Sequence, residues 1–157
     1  MNVLFVCTAN ICRSFLAERL FLHEAEQLGL SHVRAASAGM SALPGNPPDP
    51  RMVAHLMEKG IHVGDHQSRQ VELEELEWAN KVLVMSPIHK QYILDISTEG
   101  TDKVDMLGRY AAVGDDDDEI ADPFGRTPII TAWPLRRLPC PFETSPRIFS
   151  QSSRGVR

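Results

Sequence analysis

A chain of 157 residues is one domain's worth of sequence, and its net charge of −5 argues against a nucleic-acid backbone as partner. No apolar run reaches the roughly 18 residues a membrane span needs, and the first residues lack the basic leader of a signal peptide. Three cysteines, two of them in one short stretch, are too few for a disulfide framework and point to a reducing, cytoplasmic setting.

Val3 to Cys7 is a continuous apolar run, the pattern of a central parallel strand. After Cys7 come five residues, then Arg13-Ser14, and then a helical pattern from Ser14 to Leu28 with an apolar stripe through Leu16, Ala17, Leu20, Phe21, Ala25 and Leu28. Gly29 suits the position just past its end. The spacing predicts a strand, a tight loop and a helix N-terminus. Such a loop can turn successive N–H groups into one concavity, to which the helix dipole adds positive potential. A phosphate dianion fits there. Arg13 offers a planar fork for two of its oxygens, and Cys7 lies at the base of the same field, where a thiolate is placed to attack phosphorus. Cys7 alone would read as a buried strand-end cysteine; the loop, Arg13-Ser14 and the flanking elements set it apart.

Val33 to Ser37 reads as a second strand. A turn-rich loop follows from Ala38-Gly39 through Pro44-Gly45-Asn46-Pro47-Pro48. Asp49-Pro50 has the form of an N-cap and first helical residue, opening a helix through Met52, Val53, Leu56 and Met57 that stops at Gly60. Ile61 to Gln70 is a connection, Leu73 to Trp78 a short acidic helix, and Lys81 to Met85 a third buried strand closed by Ser86-Pro87. A helix over His89 to Ile96 and a weak fourth strand over Lys103 to Leu107, interrupted by Asp105, complete the regular elements. Alternating strands and helices argue for an α/β fold: a parallel sheet with helices on both faces, in three layers, with its site at the carboxyl end of the first strand.

Cys7 to Ser14 resembles the phosphate loop of the low-molecular-weight protein tyrosine phosphatases. The resemblance runs from about residue 2 to Arg126 and implies four parallel strands in the order 2-1-3-4. It makes Cys7 the nucleophile and Arg13 the phosphate-binding arginine. Thr8, Ala9, Asn10, Ile11, Cys12 and Ser14 become the substrate-binding cradle. Within it, Ser14 hydrogen-bonds the thiolate, Asn10 holds the loop shape from inside, and Cys12 is able to form a reversible disulfide with Cys7. Ser37 and His66 would support Asn10, although His66 also suits an ordinary surface position; Arg69 would have a structural role. Phe15 stands where the family usually has proline.

A thiolate displaces an alkoxide or phenoxide only if the leaving group receives a proton. Ile120-Ala121-Asp122-Pro123-Phe124 resembles the family's aspartate-proline-tyrosine segment and makes Asp122 the general acid and later the base. A lone Asp-Pro is otherwise a turn. Phe124 replaces a tyrosine and can still wall the cleft against an aromatic substrate. Asp115 to Asp118 reads as a solvated acidic loop, and the six histidines form no cluster, so neither a metal nor another cofactor is expected.

Residues 1–127 thus form the expected phosphatase domain, and 128–157 an atypical tail. Pro134, Pro139, Pro141 and Pro146 interrupt the place where the family carries a long amphipathic helix. Loss of that helix would uncover apolar surface and promote self-association.

The expected activity is hydrolysis of phosphotyrosine in proteins through a phosphocysteine. Three alternatives stand beside it. One is a catalytically impaired, phosphate-binding member. Another is a protein-arginine phosphatase, whose loop carries threonine where this chain has Ile11. The last is an arsenate reductase, which needs further cysteines where this chain has only Cys140, in the tail.

Overall fold

The structure is a computed structural model that describes residues 1–97, 100–110 and 118–122. Phe124 and the tail after residue 127 lie outside these residues, as do Asp115 to Asp117.

Four strands, β1 (Asn2–Cys7), β2 (Arg34–Gly39), β3 (Lys81–Val84) and β4 (Val104–Met106), form one sheet in the order β2-β1-β3-β4. Every pairing is parallel, with Cys7 opposite Gly39 and Val6 opposite Val84. The helices are α1 (Arg13–Gln27), α2 (Pro50–Glu58), α3 (Leu73–Trp78) and α4 (Pro87–Ile96). This is the expected fold and strand order.

The period-2 pleat divides β1 between two cores. Val3, Phe5 and Cys7 face a cluster built with Phe15, Leu16 and Phe21 of α1 and Met52 and Leu56 of α2. Leu4 and Val6 face the other, with Leu76 of α3, Ile93 of α4, Val82, Val84 and Val104. A strand covered on both faces must be apolar throughout, which is why Val3 to Cys7 reads as an unbroken run.

Several boundaries shift for local reasons. β2 runs two residues beyond Ser37, because Ala38 and Gly39 pair with Val6 and Cys7. α4 starts at Pro87 rather than His89, with Ser86 at the N-cap and proline in the first turn, where its missing N–H costs nothing. β4 tolerates Asp105 because its carboxylate accepts from Tyr110 Oη (2.6 Å) and Arg109 Nη1 (2.8 Å). Among the described residues no helix is long and apolar enough to cross a membrane.

The chain leaves β1 for β2 on one side and returns to β3 on the other. The loop after β1 therefore opens at the point where the winding reverses, the usual ligand crevice of such sheets.

Candidate active site

The loop from Thr8 to Cys12 joins β1 to α1, and its carbonyls are bonded outward. Cys7 O accepts from Met40 N, Thr8 O from Ser41 N, Ile11 O from Asp49 N and Cys12 O from Leu16 N, each at 2.9 Å. His66 Nε2 donates to Asn10 O at 2.7 Å. In a trans peptide the N–H of the next residue points opposite the carbonyl. The outward carbonyls thus direct the N–H groups of Thr8, Ala9, Ile11, Cys12 and Arg13 to the inside of the loop, forming an anion nest at the start of α1.

Asn10 makes this turn possible. It is fully buried with φ of 57°, a left-handed conformation that asparagine tolerates better than most residues. Its Nδ2 donates to Ser14 Oγ and Ser37 Oγ, both at 2.9 Å, and its Oδ1 accepts from Arg69 N at 3.1 Å. Since Ser14 Oγ accepts from Asn10, its own hydrogen is left for Cys7 Sγ, 3.0 Å away. Ser37 passes its hydrogen to Glu18 Oε2 at 2.5 Å, and Arg69 Nε donates to Ser37 O at 2.9 Å. Phe15 is buried with its ring centroid 4.5 Å from that of His66, so the residue in place of proline backs the histidine that holds the loop.

Arg13 lies across the opening at 6% exposure. Its Nη2 donates to Asp122 Oδ2 at 2.9 Å and approaches Thr8 Oγ1 at 3.5 Å, while Nη1 donates to Ile120 O at 3.3 Å. Ile120 N bonds Met85 O at 2.8 Å, tying the Asp122 segment to the end of β3. Asp122 itself is 53% exposed, at the rim. Cys7, Arg13 and Asp122, spread over 115 positions of sequence, thus meet at one end of the sheet.

Cys12 is turned away from solvent, with Sγ 3.6 Å from Asp49 Oδ2. Burial first, then the Asp49 carboxylate, pushes its thiol up to about 12. Arg51 holds Asp49 down at about 2, so Asp49 is the charged partner and Cys12 the protonated one. Ala9 and Ile11 are half-buried on the loop. No group of histidine, cysteine and acidic side chains among the described residues has the arrangement of a metal site.

Three contributors are silent in the sequence reading. Glu18 sits in the apolar stripe of α1, one turn after Ser14, and that placement of a carboxylate was the available signal. A Cβ on Gly39 would lie 2.6 Å from Thr8 O and 3.0 Å from Asn10 N, so only glycine fits beside the loop. His89 reads as an ordinary helix residue but is buried, with Nε2 2.9 Å from Thr8 Oγ1 and Nδ1 2.7 Å from Ser86 Oγ.

The comparison with known proteins agrees with this geometry. The protein-arginine-phosphatase of Bacillus subtilis is 41% identical over 125 residues, covering 80% of this chain and 81% of that protein. The crystal structure of a low molecular weight protein tyrosine phosphatase from T. tengcongensis superposes with a TM-score of 0.73 at 34% identity, over 80% of this chain and 84% of that one. The YwlE arginine phosphatase, as a cysteine-to-serine mutant with a phosphorylated active site serine, superposes with a TM-score of 0.72 at 39% identity, over 80% of each chain. The pattern of the family described as low molecular weight phosphotyrosine protein phosphatase matches residues 2–129, and the chain belongs to that family.

Proposed function

We propose that this phosphatase hydrolyses phosphotyrosine in proteins in two steps through a phosphocysteine at Cys7. The supporting observation is the convergence of Cys7 and its Ser14 hydrogen bond with Arg13 and Asp122 around one anion nest. In the first step the Cys7 thiolate attacks phosphorus. The S–P bond forms as the P–O bond to the leaving phenoxide breaks, and Asp122, as the acid, gives that oxygen its proton. Arg13 and the loop N–H groups hold the equatorial phosphate oxygens through both steps. In the second step Asp122 takes a proton from water, which attacks phosphorus. The S–P bond breaks, inorganic phosphate leaves, and Ser14 Oγ–H steadies the released thiolate. The thiolate chemistry calls for a reducing, cytoplasmic setting.

The apolar, half-buried Ile11 of the loop favours an aromatic leaving group over a guanidinium. The 41% identity to a protein-arginine-phosphatase favours the second reading, phosphoarginine, on the same nest. Both follow from one experiment, kcat/KM on matched phosphotyrosine and phosphoarginine peptides for the wild type and Ile11→Thr. Phosphotyrosine is the better substrate of the wild type, and Ile11→Thr shifts the ratio toward phosphoarginine. A wild type that prefers phosphoarginine overturns the tyrosine assignment.

A further inference from the structure

His89 takes no part in the steps above, yet it is 1% exposed and reaches the back of the phosphate loop. Both ring nitrogens are used, Nδ1 with Ser86 Oγ at 2.7 Å and Nε2 with Thr8 Oγ1 at 2.9 Å. A neutral imidazole has one donor and one acceptor, so in either tautomer it donates to one hydroxyl and accepts from the other. Thr8 Oγ1 is also 3.5 Å from Arg13 Nη2, the nitrogen that bonds Asp122. A guanidinium only donates, so the hydroxyl accepts from it. A continuous chain therefore runs from Ser86 through His89 and Thr8 to Arg13.

Local structure supplies the anchor. Ser86 is the N-cap of α4 and His89 its third residue, a spacing that brings both side chains to the same face. α4 packs on the face of the sheet opposite α1, through Ile93 against Leu4, Val6 and Val84. The loop is thus held from both layers, Asn10 by Ser37 and His66, and Thr8 by α4. Burial first, then the Arg13 charge, pushes His89 down to about 4, with Asp122 acting in the other direction. A neutral ring spares Arg13 a second cation beside it.

We propose that His89 is a positioning residue for the phosphate site: anchored on Ser86, it sets the rotamer of Thr8, and Thr8 holds the Arg13 guanidinium in the plane where it meets phosphate once Asp122 releases it. This rests on the phosphatase reading of the site but not on which phosphorylated residue is the substrate.

The test is a mutant cycle in the full-length protein, with His89→Leu, Thr8→Val and the double variant, and with His89→Gln and Thr8→Ser as conservative replacements. kcat and KM on para-nitrophenyl phosphate, inhibition by inorganic phosphate and the phosphate-induced rise in Tm are read for each. His89→Leu and Thr8→Val each weaken phosphate inhibition and kcat/KM by roughly 3- to 10-fold, the size of a lost neutral hydrogen bond. The double variant is no worse than Thr8→Val, because His89 acts through Thr8. His89→Gln and Thr8→Ser recover most of the loss. Effects that multiply in the double variant, or phosphate affinity unchanged in Thr8→Val, overturn the proposal. If His89→Leu does not fold, His89→Gln in the Thr8→Val background still decides. It changes nothing there if the relay is right, and a further loss refutes it. A folded wild type inert toward para-nitrophenyl phosphate would defeat the phosphatase reading separately, while the cycle could still be read from the Tm shift with phosphate.

Discussion

Gly39→Ala tests how closely the phosphate loop is moulded onto the sheet. The added methyl would sit 2.6 Å from Thr8 O and 3.0 Å from both Asn10 N and Ala42 Cβ. Reaching an ordinary contact with Thr8 O requires about 0.8 Å of separation between two backbones. Neither yields easily. Gly39 N bonds Arg69 O and Gly39 O accepts from Val71 N, both at 2.9 Å, while Met40 N and Ser41 N bond the carbonyls of Cys7 and Thr8. The loop, with one face open to substrate, is the partner that moves. Overpacking of this kind costs about 1–3 kcal/mol of stability, tolerable against a typical total of about 5–15 kcal/mol. The functional loss is larger, because a displacement of about 1 Å in positioning groups costs about 10²-fold. The assay is kcat/KM on para-nitrophenyl phosphate beside Tm with and without phosphate. The variant should fold, with a lower Tm, a reduced phosphate-induced rise and about 10²-fold lower kcat/KM. A folded Gly39→Ala protein within about twofold of wild-type kcat/KM refutes the reasoning.

Asp122→Asn lowers kcat/KM by about 10²- to 10⁴-fold on phosphotyrosine peptides and by less on esters with acidic leaving groups, which need less protonation; an equal loss across a leaving-group series counts against Asp122 as the acid. Mild peroxide should inactivate the wild type reversibly, with Cys12 trapping oxidised Cys7 as a disulfide, whereas Cys12→Ser should be inactivated beyond thiol rescue; full recovery of that variant removes the protective role. Stability also falls in acid through His89, whose value of about 4 in the fold lies below the 6.5 of a free histidine. Above pH 6.5 both states are neutral, between 6.5 and 4 the unfolded chain takes up the proton first, and below 4 no further loss accrues. The slope approaches about 1.4 kcal/mol per pH unit. Asp49, at about 2, loses its contribution only at lower pH. Urea denaturation of wild type and His89→Gln across that window should give a shallower slope in the variant, and equal slopes contradict it.

The parts legible in the sequence are those carried by short-range pattern. The run Val3 to Cys7 announces a doubly covered strand because both of its faces are buried. The spacing from Cys7 to Arg13-Ser14 announces the loop because the chemistry needs nucleophile and arginine at opposite ends of one nest. Asp105 disguises β4, since a period-2 reading cannot foresee that Tyr110, Arg109 and Lys81 surround its carboxylate. Glu18, Gly39 and His89 stay hidden for the same reason. Each meets the loop or its support only through a residue far away in sequence, Ser37 for Glu18 and Thr8 for both Gly39 and His89. The expectation of a phosphate site follows from the loop alone; what holds the loop in shape depends on the packing of β2, α4 and the Ile61 to Gln70 connection around it.

The most direct test is the identity of the phosphorylated atom. In Asp122→Ala, para-nitrophenyl phosphate can still phosphorylate the enzyme, because its leaving group needs no acid, but breakdown lacks its base and the intermediate accumulates. Rapid quench followed by peptide mass spectrometry should find one phosphate per protein on Cys7, with a matching burst of nitrophenolate, and neither in Cys7→Ala. Phosphate on any other residue, or turnover retained in Cys7→Ala, contradicts the assignment of Cys7 as the nucleophile.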